Sequence, residues 1–270
     1  MPELPEVETI KNELEPHVVG RRVTGVSLPW KGIVWEPSVR QFRARLIGQR
    51  ITGLTRRGKY LCFSLGSGES LVIHLKMSGS LLLKRNLTDD RFVRAIIRLD
   101  DGSELYFRDQ RKFGRMWLVA DNRTIVGKLG PEPLEAGFTV KLLAGLLSDR
   151  AALIKALLCD QNLIAGIGNM YADEVLFAAG IHPLRPGGSL SANEVKRLHS
   201  AIRQVLKQAI GKKGASVINY YRPGGELGTA HFQFRVAHRR GEVCYNCGTP
   251  IQRITVRNRG TYFCPRCQHQ

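Results

Sequence analysis

Acidic residues are scarce in this sequence: its 270 residues carry 23 Asp and Glu against 41 Lys and Arg, a formal net charge of +18 with histidine neutral. That deficit excludes a charge-balanced metabolic enzyme as the ordinary reading and calls for a polyanionic partner. Long apolar runs are missing too. Lys155, Asp160, Asp173 and Glu174 interrupt the most hydrophobic stretches, so no segment of about 18 apolar residues is available to cross a bilayer. The opening Met1-Pro2-Glu3 lacks the basic and apolar regions of a secretory signal, which predicts a cytoplasmic setting. No P-loop or similar nucleotide fingerprint is present. Cysteine is too sparse for a disulfide-stapled chain: of six, Cys62 and Cys159 stand singly in apolar runs, and four fall in the last 27 residues as two Cys-x-x-Cys pairs. With 43% hydrophobic residues, the chain is long enough to bury ordinary cores in two or three domains.

The first stretch reads as a helix, with Pro5 suited to its first turn, Val7, Ile10 and Leu14 on one face, and Pro16 ending it. From Arg22 to about Val119 short β runs follow one another (23–28, 51–55, 60–65, 71–75, 95–99, 104–107 and 116–119), with Asp101-Gly102 as a hairpin turn and one helix through Val39, Phe42 and Leu46. So many short strands predict a sandwich or barrel. Gly130-Pro-Glu-Pro133 reads as a linker into helical text: one helix at Leu153 and Leu157, another from Tyr171 to Ala179 stopped by Gly180, and a third opened by the capping box Ser191-x-x-Glu194. Gly211 to Gly228 is glycine-rich and reads as a long functional loop. The expected division is 1–130, 131–238 with the loop at about 211–228, and 239–270.

Cys244-Tyr-Asn-Cys247 and Cys264-Pro-Arg-Cys267, sixteen residues apart, match a four-cysteine zinc ribbon. With no open coordination position, the one zinc ion is structural. Two redox pairs would need a thioredoxin-like βαβ pattern, which is absent. Arg259, in Asn258-Arg259-Gly260 where the ribbon hairpin should turn, is placed to enter a groove or grip a phosphate, though a solvated basic turn satisfies the same text. Lys59 follows Gly58 and precedes an apolar strand, a placement that projects an amine into a cleft or leaves it exposed. Gly166-Ile-Gly-Asn169 before a helix offers backbone N–H groups to phosphate. Removal of Met1 would leave Pro2 as a secondary amine at the head of a helix. The α-amino reference pKa of about 7.7–8.0 makes such an amine a usable nucleophile at neutral pH. Attack on a sugar C1′ gives an iminium that acidifies the C2′ proton and permits loss of the 3′ phosphate. Glu3 is placed to move protons and Glu6, one turn along, to support the site. A helix start with acids at its positive end accounts for the same residues.

Taken together, Pro2-Glu-Leu-Pro-Glu-Val-Glu-Thr, His74-Leu-Lys-Met-Ser-Gly-Ser-Leu, Asp109-Gln-Arg-Lys-Phe-Gly, Leu129-Gly-Pro-Glu-Pro-Leu, Gly166-Ile-Gly-Asn-Met-Tyr-Ala and the ribbon give a chain that resembles the bacterial formamidopyrimidine-DNA glycosylases over essentially its full length. The resemblance implies an α+β multidomain fold: an N-terminal β-sandwich, a helix-two-turn-helix domain and a zinc ribbon, with double-stranded DNA crossing the cleft between the first two. It implies a monomer that excises oxidised purines and then cuts the strand by β,δ-elimination. By the same resemblance Pro2 is the Schiff-base nucleophile, Glu3 the acid that opens the sugar, and Lys59 a basic residue that assists elimination and holds a phosphate. Asn169 and Arg259 clamp phosphates, with His74 and Lys155 as further DNA contacts. Met77, Arg111 and Phe113 fill the gap that a flipped nucleotide leaves, offsetting a few kcal/mol of unstacking. Three positions depart from the family pattern: Phe92 where histidine is common, Ala237 where a tyrosine touches DNA (His238 is its neighbour), and Ile218 where a basic residue is frequent. They bear on lesion preference and affinity. The rivals are an endonuclease VIII-type enzyme for oxidised pyrimidines and a non-catalytic binder of damaged DNA on the same scaffold.

Overall fold

The structure, a computed structural model, describes residues 1–84, 90–217 and 220–269, so the departure at Ile218 lies outside the described residues. The chain forms two compact units, Met1–Lys128 with Lys212–Thr229, and Leu129–Gly211 with Ala230–Gln270.

The first unit opens with α1 (Leu4–Val18). Val7, Ile10, Leu14 and Val18 form its buried stripe, the helical spacing of the sequence. Contrary to expectation, Pro16 lies inside this helix and does not end it. Its missing N–H forfeits only one bond in the last turn, and Val19 N–H still reaches the Glu15 carbonyl at 3.1 Å. Then come β1 (Val23–Ser27), β2 (Val34–Glu36), α2 (Val39–Leu46), β3 (Ile51–Arg57), β4 (Tyr60–Leu65), β5 (Ser70–His74), β6 (Gly79–Lys84), β7 (Val93–Leu99), β8 (Glu104–Asp109), β9 (Arg115–Val119) and the short α3 (Arg123–Val126).

The strands make two sheets, one ordered β1-β7-β8-β6 and the other β2-β9-β5-β4-β3. A single core joins them, taking Ile10 and Leu14 from α1, Phe63 and Ile73 from the larger sheet, and Ile97 and Phe107 from the smaller. This is the expected sandwich. Two strands escaped the reading. β6 is a continuous Leu81-Leu82-Leu83 run without alternation, and β2 is a three-residue edge strand pairing parallel with β9. The segment 212–229 also belongs to this unit. Tyr220 is buried in the same core, Arg222 forms an ion pair with Glu13 of α1 at 2.7 Å, and Leu83 N–H donates to the Pro223 carbonyl at 2.9 Å.

The second unit holds α4 (Val140–Leu147), α5 (Ile154–Leu158), α6 (Asn169–Ala179), α7 (Ala192–Gly211) and a ribbon hairpin of β10 (Gln252–Val256) and β11 (Arg259–Phe263). α6 ends as expected at Gly180, which takes the left-handed φ of 69°. α7 opens with the expected capping box: Ser191 N–H donates to the Glu194 carboxylate at 2.8 Å and Glu194 N–H to the Ser191 hydroxyl at 3.3 Å. α4 was not foreseen; Thr139 caps it, accepting from Leu142 N–H at 3.1 Å. Phe177 of α6 packs with Val236, Ile251 and two of the ribbon cysteines, so the ribbon shares a small apolar cluster with the helices. No helix among the described residues is long and apolar enough to cross a membrane.

Candidate active site and nucleic-acid interface

In the first unit, Pro2 and Glu3 lie buried at the head of α1, with Glu3 only 2% exposed. While Met1 is attached, the Pro2 nitrogen is an amide; its removal exposes a secondary amine at this point. Glu6, fully buried, accepts from Glu3 N–H at 2.7 Å on one carboxylate oxygen and from Ala215 N–H at 2.8 Å on the other. It thus ties the helix head to the chain at Ala215.

Lys59 sits with Gly58 in the two-residue loop of the β3–β4 hairpin, where Arg57 pairs with Tyr60. Gly58 adopts φ 55° there, a left-handed conformation that glycine takes without strain. Arg56 at the base of this hairpin donates to the Gly58 carbonyl at 3.0 Å and pairs with Glu8 of α1 at 2.6 Å. The hairpin is thereby held to α1, with Lys59 5% exposed. His74 pairs with Tyr60 across β4 and β5. Burial, with the charges of Lys76 and Lys59 nearby, pushes its imidazole down to about 3. Its Nδ1 accepts from Lys76 N–H at 2.8 Å, so the neutral ring carries its proton on Nε2. His74 therefore offers a neutral N–H donor and no cation.

Met77 and Phe113 are both exposed, and the Arg111 guanidinium lies 4.8 Å from the Phe113 ring centroid. Sequence reasoning missed what aligns them. Asp109, fully buried at the end of β8, accepts from Ser78 Oγ–H and from Arg111 N–H at 3.2 Å with one oxygen, and from Gly114 N–H at 2.7 Å with the other. One carboxylate thus fixes the Met77 turn and the Arg111–Phe113 loop to each other. A Cβ on Gly114 would stand 2.4 Å from the Phe107 ring, so the loop packs too closely for any larger residue there. Lys76 and Lys112, which immediately precede Met77 and Phe113, adopt left-handed φ values of 55° and 58°. Such strain persists where the surroundings over-determine it. A signal for this was present, since an Asp two residues before a turn N–H forms an Asx turn. Phe92 stacks beneath the guanidinium groups of Arg91 and Arg108 at 4.9 and 5.0 Å.

In the second unit, Asn169 starts α6 and its Nδ2 donates to the Gly260 carbonyl at 2.8 Å, which brings it beside Arg259. The ribbon turn differs by one residue from expectation. Arg257 and Asn258 form it, with φ of 44° and 61°, and Arg259 is the first residue of β11, exposed and paired with Val256. Positive φ at both turn residues marks the type I′ geometry of two-residue hairpins. Lys155, expected among the DNA contacts, is instead 1% exposed, ion-paired with Asp173, and bonded to the Asn169 carbonyl at 2.9 Å. It positions the start of α6 and is too deeply buried to meet a phosphate. Burial pushes the Asp173 carboxyl up to about 7 against the opposing pull of Lys155. Glu174 accepts from the N–H groups of Arg235, Val236 and Ala237, the last two at 2.9 and 2.8 Å. The Ala237 position is thus buried backbone support.

The Sγ atoms of Cys244, Cys247, Cys264 and Cys267 all lie within 4.8 Å of one another. A tetrahedral ion with Zn–S bonds of about 2.3 Å separates its sulfurs by about 3.8 Å; here Cys247 and Cys264 are 3.4 Å apart and Cys244 and Cys267 3.9 Å. Hydrogen bonds from Thr249 hold Cys247 down to about 6, while burial and the other three thiols push Cys267 up. Four thiolates this close call for a cation, and the residues fit zinc.

Known proteins agree with this geometry. Residues 1–116 match the formamidopyrimidine-DNA glycosylase N-terminal domain, 129–220 the H2TH domain of the same proteins, and 241–270 the zinc finger found in FPG and IleRS. The formamidopyrimidine-DNA glycosylase of Chloroflexus aurantiacus is 48% identical over 99% of this chain and 98% of its own length. That of Geobacillus kaustophilus is 43% identical over 99% and 100%. A variant of the Lactococcus lactis protein, solved with DNA containing Fapy-dG, superposes with a TM-score of 0.94 at 35% identity, covering all of both chains. The same protein solved with DNA containing an abasic site gives 0.93 over 99% of this chain. On sequence, fold and domain content together, the chain belongs to the formamidopyrimidine-DNA glycosylase family.

Proposed function

We propose that the protein removes oxidised purines from double-stranded DNA and then cleaves the abasic strand, with the nitrogen of Pro2 as nucleophile once Met1 is removed. The observation that carries this reading is the burial of Pro2 and Glu3 at the head of α1, held by Glu6, with the Lys59 hairpin bound to the same helix. The Pro2 nitrogen adds to C1′ as the base departs, and breakage of the C1′–O4′ bond, with O4′ taking up a proton, then gives an iminium. Withdrawal of electrons into it acidifies C2′, and expulsion first of the 3′ and then of the 5′ phosphate breaks the strand. Glu3 handles the proton at the sugar ring oxygen, and Lys59 supplies positive charge to a phosphate. Arg111, Met77 and Phe113, locked by Asp109, occupy the gap left by the extruded nucleotide. Asn169 and Arg259 grip phosphates from the second unit, and His74 donates its Nε2–H. The four cysteines hold one structural zinc ion, which gives the ribbon its shape and leaves no open position for chemistry.

The +18 charge and the DNA in the Lactococcus structures support this partner, and the bacterial relatives support a cytoplasmic setting; action as a monomer belongs to the same proposal. The division at about residues 130 and 238 into catalytic, helical and zinc-binding parts belongs to the same proposal.

The test is covalent trapping with sodium borohydride on duplexes carrying 8-oxoguanine opposite cytosine, an oxidised pyrimidine, or an abasic site. The proposal expects trapping with the first and third. Trapping with the pyrimidine lesion in place of 8-oxoguanine would transfer the protein to the endonuclease VIII type. Trapping with none, by a chain shown by mass spectrometry to begin at Pro2, would leave only a damage-binding role.

A further inference from the structure

Beside Met77 and Phe113 lies an apolar cleft of about 380 Å³, walled by Trp35, Trp117 and Arg115 and reached by Met1. Trp35, on the edge strand β2, is 65% exposed, an uncommon state for so large an apolar side chain. The Arg115 guanidinium lies 5.0 Å from the Trp35 ring centroid and 5.8 Å from that of Trp30. It is held in place by its own bonds, one Nη donating to the carbonyls of Gly114 at 2.9 Å and Lys112 at 3.3 Å. Both carbonyls belong to the loop that presents Phe113, so the cleft and the wedge form one rigid piece. Lys76 adds a second cation, and among the described residues no acidic side chain lines the cleft.

Flat aromatic faces, a fixed guanidinium and uncompensated positive charge suit a flat, electron-rich group that carries a phosphate. Bases in single-stranded or unstacked regions bind on such surfaces. An apolar peptide would have to strip water from two cations there. We propose that this cleft is a stacking site for a nucleobase of the damaged duplex that the Met77–Phe113 wedge has unstacked, with Trp35 as its platform and Arg115 as its anchor. The site rests on the glycosylase reading, because the wedge residues form its wall. Loss of Met1 would open it further toward the Pro2 nitrogen.

The test uses the full-length protein and a duplex containing a tetrahydrofuran abasic analogue, with 2-aminopurine placed opposite the analogue or at either neighbouring position of that strand. This fluorophore is bright when unstacked and dim when stacked on an indole. Trp35→Ala is expected to weaken binding about tenfold and to brighten at least one of the three positions relative to the wild type, while Trp35→Phe restores most of both effects. Equal affinity within twofold and unchanged fluorescence at all three positions would overturn the proposal. So would a loss that Trp35→Phe fails to restore while both variants unfold at the wild-type temperature. Failure of the glycosylase reading is separately visible, because wild-type protein would then give no borohydride-trapped complex with a natural abasic duplex.

Discussion

The two units fix their candidate DNA-binding groups by different means. In the first, buried carboxylates do it inside a large shared core: Asp109 gathers three donors from two turns, and Glu6 gathers backbone N–H groups from Glu3 and Ala215. In the second, the ribbon that presents Arg259 has only a small apolar cluster, shared with Phe177 of α6, and four converging thiols, with Glu174 bracing the chain that leads into it. A short segment cannot bury enough apolar surface to order itself, so in the proposed reading a metal takes the place of a core. The wedge, rooted in a sandwich, needs only hydrogen bonds.

Metal removal should separate the two units most sharply. Chelation or Cys267→Ser is expected to abolish amide-exchange protection across β10 and β11 and to weaken binding to an abasic duplex by about a hundredfold or more, since structural zinc contributes roughly 10–16 kcal/mol in small finger peptides. The strands β3, β4 and β5 should keep their protection; if they lose it, the contrast fails. Next, Asp109→Ala strands three donors at once and should lower the unfolding free energy of the first unit by about 3 kcal/mol, at about 1–3 kcal/mol for each unsatisfied buried group. Denaturant titration measures this, and the ribbon should be untouched. Glu174→Gln retains an acceptor oxygen but loses charge, so about 1–2 kcal/mol is expected, with faster exchange confined to residues 235–237.

The smallest effect concerns pH. Hydrogen bonding to Arg185, then to Ser191, holds the Glu194 carboxyl down to about 2. A depressed carboxylate stabilises the fold above its unfolded pKa of about 4.3 and loses that contribution as pH falls toward 2. Glu194→Gln should remove at most about 1 kcal/mol at pH 7, since solvent screens this pair, and flatten the acid limb of a stability–pH curve in the second unit alone. An unaltered acid limb would show that the capping pair is too hydrated to matter.

The ribbon was the most legible part of the sequence because metal spacing is local: two Cys-x-x-Cys turns define a site whatever surrounds them. The capping box of α7 and the stop at Gly180 were legible for the same reason. β6 and α4 were not, because an unbroken leucine run and a short amphipathic stretch lack a decisive period. Pro16 misled through its position, since a proline in a helix's last turn removes little. Asn258-Arg259-Gly260 reads as the turn in the sequence, and only the pairing of Val256 with Arg259 moves the turn to Arg257-Asn258 and puts Arg259 on the strand. Lys155 shows a deeper limit. A basic residue on a basic chain reads as a DNA contact, and nothing local says that Asp173, eighteen residues on, has already claimed it. Asp109 is the counterpart, an acid whose partners are scattered over thirty-seven residues, from Ser78 to Gly114.

Glu6 leaves a mark that should be readable in evolutionary drift. A Cβ at position 214 would come within 2.9 Å of the Glu6 side chain, and Gly214 already sits at φ 77°. Homologues that shorten the acid at position 6 gain room there, whereas those that keep glutamate do not. Because the left-handed φ disfavours a side chain whatever the space, position 214 should stay glycine even in homologues where position 6 drifts.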